Sequence, residues 1–175
     1  MSKTSRKYAF SWDLLGVDLD EARPRMGDTL NMEIYRLFQF TMRDVLEERY
    51  GSAEVDKIFF ESGVLAGKFF FERYLNSAGS VGELVKAIQD KFQELGVGIF
   101  RVEESAPDAS SFTLVVDEDL DCSGLPDTSD HICIYDEGFI KGILDAFTSS
   151  NYEVKEVDCW CSGARTCRFS AKKVG

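Results

Sequence analysis

At 175 residues and 44% apolar content, the chain is long enough to bury one sizeable core and suits a single domain. Its net charge of −11 excludes the positive footprint that binding to nucleic acid or an anionic membrane surface requires. No apolar signal-peptide core follows Met1, and no apolar run approaches the length of a membrane span, which predicts a cytoplasmic protein.

Residues 1–24 read as an N-terminal arm, and residues 25–175 as a ligand-binding domain. Arg23-Pro24-Arg25 and Gly27 interrupt any helix at their junction. The spacing then predicts a long helix over 29–50, with Leu30, Ile34, Leu37, Phe38 and Val45 on one apolar stripe. Met32, Tyr35, Met42 and Leu46 form a second stripe beside it. A face this wide fits either a central core helix or a homodimer contact through residues 30–46. Gly51 suits the residue just past the helix end.

A second helix is predicted over 53–75. Its Gly63 and Gly67, four residues apart, share one face and let another backbone approach closely or leave room for a ligand. Ser80 with Glu83 makes a capping-box pattern that starts a third helix over 81–95, ended by Gly96. From there the apolar period falls to two. Segments 97–102 and 112–116 read as strands joined by a turn around Pro107-Asp108. An acidic, irregular connection follows, and its spacing does not fit a calcium loop of the EF-hand type. A helix over 133–148 and two strands near 152–160 and 165–171, joined by Ser162-Gly163-Ala164, complete the chain. Helices and strand pairs segregated in this way indicate an α+β fold, with N-terminal helices packed on an antiparallel sheet of about four strands.

Four of the five cysteines lie between Cys133 and Phe169. In a reducing compartment, cysteines serve metals or redox chemistry more often than structural disulfides. Cys159 and Cys167 bracket the final hairpin turn, and Cys133 opens the preceding helix. Thiolates converging from separate elements suit a tetrahedral zinc site. Glu156 is a fourth donor, but strict strand alternation sets it on the opposite face from Cys159, so a bulge is needed to bring them together. Cys161 and His131 are competing ligands, and ordinary buried thiols remain the alternative. Cys122 stands outside this set.

The closing run EGFIKGIL…EVKEVDCWCSGARTCRF resembles the signature of the 4-vinyl reductase domain family, through Glu156, Cys159, Trp160, Gly163, Cys167, Arg168 and Phe169. A looser likeness extends upstream through Arg25-Met26-Gly27, Tyr35-Arg36-Leu37, Gly63, Gly67 and Asp121-Cys122-Ser123-Gly124-Leu125. The resemblance implies the fold of the small TRAPP trafficking subunits and of the sensory domain of aromatic-responsive bacterial regulators. It also implies a structural zinc held by Cys133, Glu156, Cys159 and Cys167. Phenol-sensing relatives orient their ligand with a histidine and a tryptophan. Here the single histidine is His131 and the tryptophan position is taken as Phe112, so a more purely apolar ligand is expected.

The function expected is therefore a stand-alone domain that binds or senses a hydrophobic or aromatic small molecule and signals through a partner. Its pocket is expected to be lined by Phe112, Leu114, Phe139, Ile143 and Val154, beside zinc as the cofactor. A dimeric scaffold of the TRAPP-subunit type, without ligand, is the alternative. The chain carries no P-loop, no nucleotide-binding glycine loop and no base–nucleophile pair, which makes a vinyl reductase of tetrapyrrole metabolism the weaker reading.

Overall fold

Two helices carry paired glycines, and their meeting arranges the rest of the fold. The computed structural model describes residues 8–129 and 131–175, so the first seven residues of the expected arm lie outside the described residues. The chain divides into two units, Met1–Gln39 and Phe40–Gly175. The first holds a 3₁₀ turn at Trp12–Leu15 and the short helix α1 (Leu19–Ala22). Helix α2 (Met32–Tyr50) begins in this unit and ends in the second.

The second unit continues with α3 (Ser52–Phe70), α4 (Val81–Leu95), strands β1 (Ile99–Ser105) and β2 (Ser111–Asp117), α5 (Ile134–Thr148), β3 (Asn151–Asp158) and β4 (Cys167–Val174). The strands form one antiparallel sheet in the order β1-β2-β4-β3, as the α+β reading expects. Helix α3 runs on into a π-helical turn, Phe71–Leu75, which completes the second predicted helix. Ser80 caps α4 by accepting from the Glu83 N–H at 3.3 Å, while the Glu83 carboxylate takes the Gly79 N–H at 2.7 Å. Gly96 closes α4 in the left-handed conformation, φ +68°.

Gly63 and Gly67 of α3 face Gly138 and Gly142 of α5. A Cβ at Gly63 would stand 2.1 Å from the Tyr135 carbonyl oxygen, and one at Gly138 would stand 2.1 Å from that of Phe60. Gly67 meets the Phe139 oxygen at the same 2.1 Å, and Gly142 meets that of Val64 at 2.4 Å. The two helices thus lie backbone against backbone, in the most extensive contact between elements. Close packing, rather than space for a ligand, accounts for Gly63 and Gly67.

Phe70 of α3, Phe92 of α4, Phe100 of β1 and Phe139 of α5 pack edge-on or tilted, with ring centroids 5.1–6.1 Å apart. Each such pair contributes about 0.5–1.5 kcal/mol beyond the area it buries. The outer edge of β3 is covered by side chains. Asp145 accepts the Tyr152 N–H at 2.8 Å, and the Lys141 ammonium donates to the Tyr152 carbonyl at 2.8 Å. One turn earlier on α5, Glu137 accepts the Glu156 N–H at 2.9 Å, and His131 Nδ1 lies 3.2 Å from the Glu156 carbonyl oxygen.

The core-helix reading of α2 does not hold. None of its residues is buried, and Phe38 keeps 66% of its surface exposed. An apolar stripe records how wide a face is, and carries no information on what covers it. No helix among the described residues is long and apolar enough to cross a membrane.

Gly138→Ala is expected to force the two helices apart and to cost about 1–3 kcal/mol or more, as overpacking does. Gly82→Ala on α4, where a Cβ meets nothing within 4 Å, is expected to be neutral or to gain up to about 1 kcal/mol. Urea denaturation midpoints of the two variants measure the contrast.

Candidate functional site

The β3–β4 hairpin brings Cys159 and Cys167 together. Its tip is a 3₁₀ turn, Trp160–Ser162, closed by Gly163 at φ +91°. The Ser162 hydroxyl accepts the Cys159 N–H at 3.1 Å and donates to the Cys159 carbonyl at 2.8 Å. The register slips between Glu156 and Asp158, which is the bulge that strict alternation required. Val157 is thrown outward, while Glu156 and Cys159 both turn inward and are buried.

Cys133, at the start of α5, reaches the hairpin. Its Sγ lies 3.9 Å from that of Cys159 and 3.7 Å from that of Cys167. The fourth sulfur is Cys122, from the loop after β2, with Sγ 3.0 Å from Cys167 Sγ. The four sulfurs lie within 4.8 Å of one another, and the exposure of each residue is 0%. Hydrogen bonds from Cys122, Cys133 and Cys167 hold the Cys159 thiol far below the usual thiol range. The neighbouring Cys122, Cys159 and Cys167 push Cys133 above it. Such a cluster shelters a single thiolate on Cys159, a step towards the deprotonated state that a metal needs.

Glu156 borders this group without joining it. Its Oε2 accepts the Cys133 N–H at 3.3 Å, and its Oε1 is buried without a hydrogen-bond partner. Burial, and then the nearby Cys159, pushes its carboxyl up to about 8. Asp119, pushed up to about 7 by burial and then by Asp121, accepts the N–H groups of Asp121 and Cys122 at 2.7 and 3.1 Å. The thiol of buried Cys161 is outside the four-sulfur group, and its carbonyl accepts from Thr128 and Ser129. His131 is engaged with β3.

Donor chemistry supports a metal here. Four thiolates around zinc at about 2.3 Å stand about 3.8 Å apart, close to the separations that Cys133 already makes. Soft sulfur donors in tetrahedral array favour zinc or an iron–sulfur centre over magnesium or calcium.

A second feature lies on the opposite part of α5. An apolar cavity between α4, the sheet and α5 is lined by Leu84, Ile88, Phe112, Leu114, Ile140 and Ile143, among others, and none of its lining side chains is polar. Its free space is about 20 Å³, room for about one water molecule. Of the expected pocket residues, Phe112, Leu114 and Ile143 line this cavity. Phe139 belongs to the aromatic cluster instead, and Val154 borders a surface groove of about 600 Å³ beside β3, whose rim carries Asp56, Lys57, Glu61 and Lys155. Val85 and Leu144, which sequence periodicity placed only on core stripes, also line the apolar cavity.

Residues 112–173 match the family model of the 4-vinyl reductase domain. The matched segment holds all four clustered cysteines and Glu156, so the resemblance to that family rests on the same elements as the site. Over 55 residues the chain is 31% identical to an uncharacterized protein of Methanocaldococcus jannaschii, an alignment covering 31% of this chain and 34% of that protein. It therefore spans about a third of that relative's length. The fold is similar to that of a vinyl-4-reductase family protein from the same organism, with a TM-score of 0.60 at 18% identity, covering 99% of this chain and 100% of that one. It is also similar to trafficking protein particle complex subunit 3 from Naegleria fowleri, covalently bound to palmitic acid, with a TM-score of 0.62 at 16% identity over 83% and 96% of the two chains. The phenol-responsive sensory domain of the transcription activator PoxR, with phenol, aligns with a TM-score of 0.58 at 16% identity over 82% and 75%. At these identities the likeness is one of fold.

Glu137 ties α5 to the bulged strand. It is almost fully buried, accepts the Glu156 N–H, and takes a second bond from Lys155 Nζ at 2.8 Å. Glu137→Ala leaves a buried amide unpaired and is expected to cost about 1–3 kcal/mol. Faster hydrogen exchange at the Glu156 amide would accompany the loss, whereas unchanged protection there would refute this role.

Proposed function

We propose that the chain is a binding or sensing module for an apolar small molecule, in which a structural zinc at the thiol cluster braces the wall of the ligand cavity. The observation that carries this reading is that the two features share their elements. Cys133 opens α5, while Ile140, Ile143 and Leu144 on the same helix line the cavity. On the sheet, Val116 pairs with Cys167, and Leu114, the next inward residue, lines the cavity. A change in α5 or β2 on ligand binding would therefore reach the cysteine cluster directly.

The purely apolar lining favours a hydrocarbon chain or an unsubstituted ring over phenol, because a buried hydroxyl without a partner costs about 1–3 kcal/mol. The fold neighbours that hold palmitic acid and phenol support an apolar or aromatic ligand at this fold. Entry requires a wall to move. Helix α4, which packs on β1 and the π-helical turn, is the wall that can swing without disturbing the α3–α5 contact. The zinc would be held by Cys133, Cys159 and Cys167, with the fourth position taken by Glu156, as the resemblance implies, or by Cys122. With four protein ligands, the ion would serve structure rather than catalysis.

Native mass spectrometry of gently purified protein is expected to show an apolar adduct that organic extraction removes. Val85→Trp, which fills the cavity from a partly exposed position, is expected to lower adduct occupancy without unfolding the chain. Equal occupancy in the two proteins would place the ligand elsewhere.

The exposed stripe of α2 supports a homodimer through residues 30–46, the route by which such a module would pass a signal to a partner. Ile34, Leu37, Phe38, Met42 and Val45 keep 40–66% of their surface exposed. Phe38→Glu is expected to convert a dimer to a monomer in light scattering; a wild-type monomer would refute the dimer.

A further inference from the structure

We propose that Cys122, rather than Glu156, supplies the fourth ligand of the metal centre, so that the ion pins the loop between β2 and α5 to the closing hairpin. This rests on the reading of the thiol cluster as a metal site. Three observations carry it.

The first is convergence. Cys122 is one of four sulfurs within 4.8 Å of one another, and no group of donors at that spacing contains a Glu156 oxygen among the described residues. Moving Cys122 and Cys167 apart from 3.0 Å to the about 3.8 Å of a tetrahedral thiolate centre is a small adjustment.

The second is preorganisation. Cys122 is held by its own loop, because the Asp119 carboxylate accepts both the Asp121 and the Cys122 N–H. The Cys122 carbonyl accepts the Leu125 N–H at 3.0 Å, and the Leu125 carbonyl accepts from the Trp160 indole, also at 3.0 Å. The loop is thus already docked on the hairpin tip, with its sulfur turned into the cluster.

The third is the engagement of Glu156. Its Oε2 accepts the N–H of Cys133, the bond by which an outer carboxylate orients a ligand from behind. Its buried Oε1 has no partner and is the one atom that competes for the fourth position. Between a soft thiolate and a carboxylate, a zinc ion bound by three thiolates is better matched by a fourth.

The test is to strip the full chain of metal, reload it with zinc or cobalt(II), and count thiolates by sulfur-to-cobalt charge-transfer absorption. The wild-type chain is expected to show four. Cys122→Ser is expected to lose about a quarter of that intensity and to weaken zinc affinity, in chelator competition, by about 10-fold or more. Glu156→Gln is expected to keep the four-thiolate spectrum. Should Cys122→Ser fail to fold, the wild-type spectrum still decides, since three thiolates and one oxygen donor differ from four thiolates in band intensity and position.

Hydrogen exchange gives a second readout. Metal removal is expected to speed exchange at the Leu125 amide. A wild-type spectrum of three thiolates, or one altered by Glu156→Gln and not by Cys122→Ser, would overturn the assignment while leaving the metal site standing. A wild-type chain that takes up neither ion would overturn both.

Discussion

Where α3 crosses α5, carbonyl oxygens of one helix rest against bare Cα atoms of the other. No side chain separates them, since every residue at the crossing is a glycine and a methyl group at any of the four would overlap backbone. An ordinary helix pair keeps about 8–10 Å between axes because its side chains set the distance. Here the backbone itself sets it, so α5 cannot slide or rotate on α3 without collision. Each glycine also costs about 1 kcal/mol of helix propensity, a loss that only the close approach offsets.

Fixing α5 fixes what it carries. At its start Cys133 meets the hairpin, and one turn on Glu137 holds the bulged strand. Two turns on, Ile140 and Ile143 form the floor of the apolar cavity. The bulge at Val157 does the complementary work on the sheet. By shifting phase once, β3 presents Glu156 inward for α5 and still presents Cys159 inward for the thiols. Helix α4 is the less constrained element. It presses an apolar face on β1 and the cavity, with no backbone contact of the glycine type, so one wall of the cavity is deformable while the other is rigid.

Much of this arrangement was legible in the residues. The helices from α2 to α5 announced themselves by apolar spacing, α4 by its Ser80 cap and Gly96 stop, and the sheet by a change of period. The bulge near Glu156 followed from a conflict, because alternation alone could not bring residues 156 and 159 to one side. Other features had no local signal. The stripe of α2 reads the same whether it is covered by core or exposed. Cys122 sits in an irregular acidic loop, where neither period nor turn type predicts which way a side chain points, and it reaches the other sulfurs only through the fold of that loop. Phe139 and Val154 were assigned to a pocket because they are apolar and on the right elements. Their helix phase and strand position direct them to an aromatic cluster and to the rim of a charged groove, distinctions that depend on tertiary packing.

The polar row on α5 has a bearing on how the molecule avoids its own kind. Strand β3 is an edge, and an uncovered edge is a template for pairing with another chain. Asp145, Lys141, Glu137 and His131 occupy the outward backbone groups of Tyr152 and Glu156, so an incoming strand would have to displace charged side chains already bonded there. Sheet growth at this border is therefore closed while α5 is seated. The glycines that seat α5 then act as guardians of solubility as well as of shape: a variant that loosens the helix crossing unlatches the edge too, and is fated to clump before it is fully unfolded.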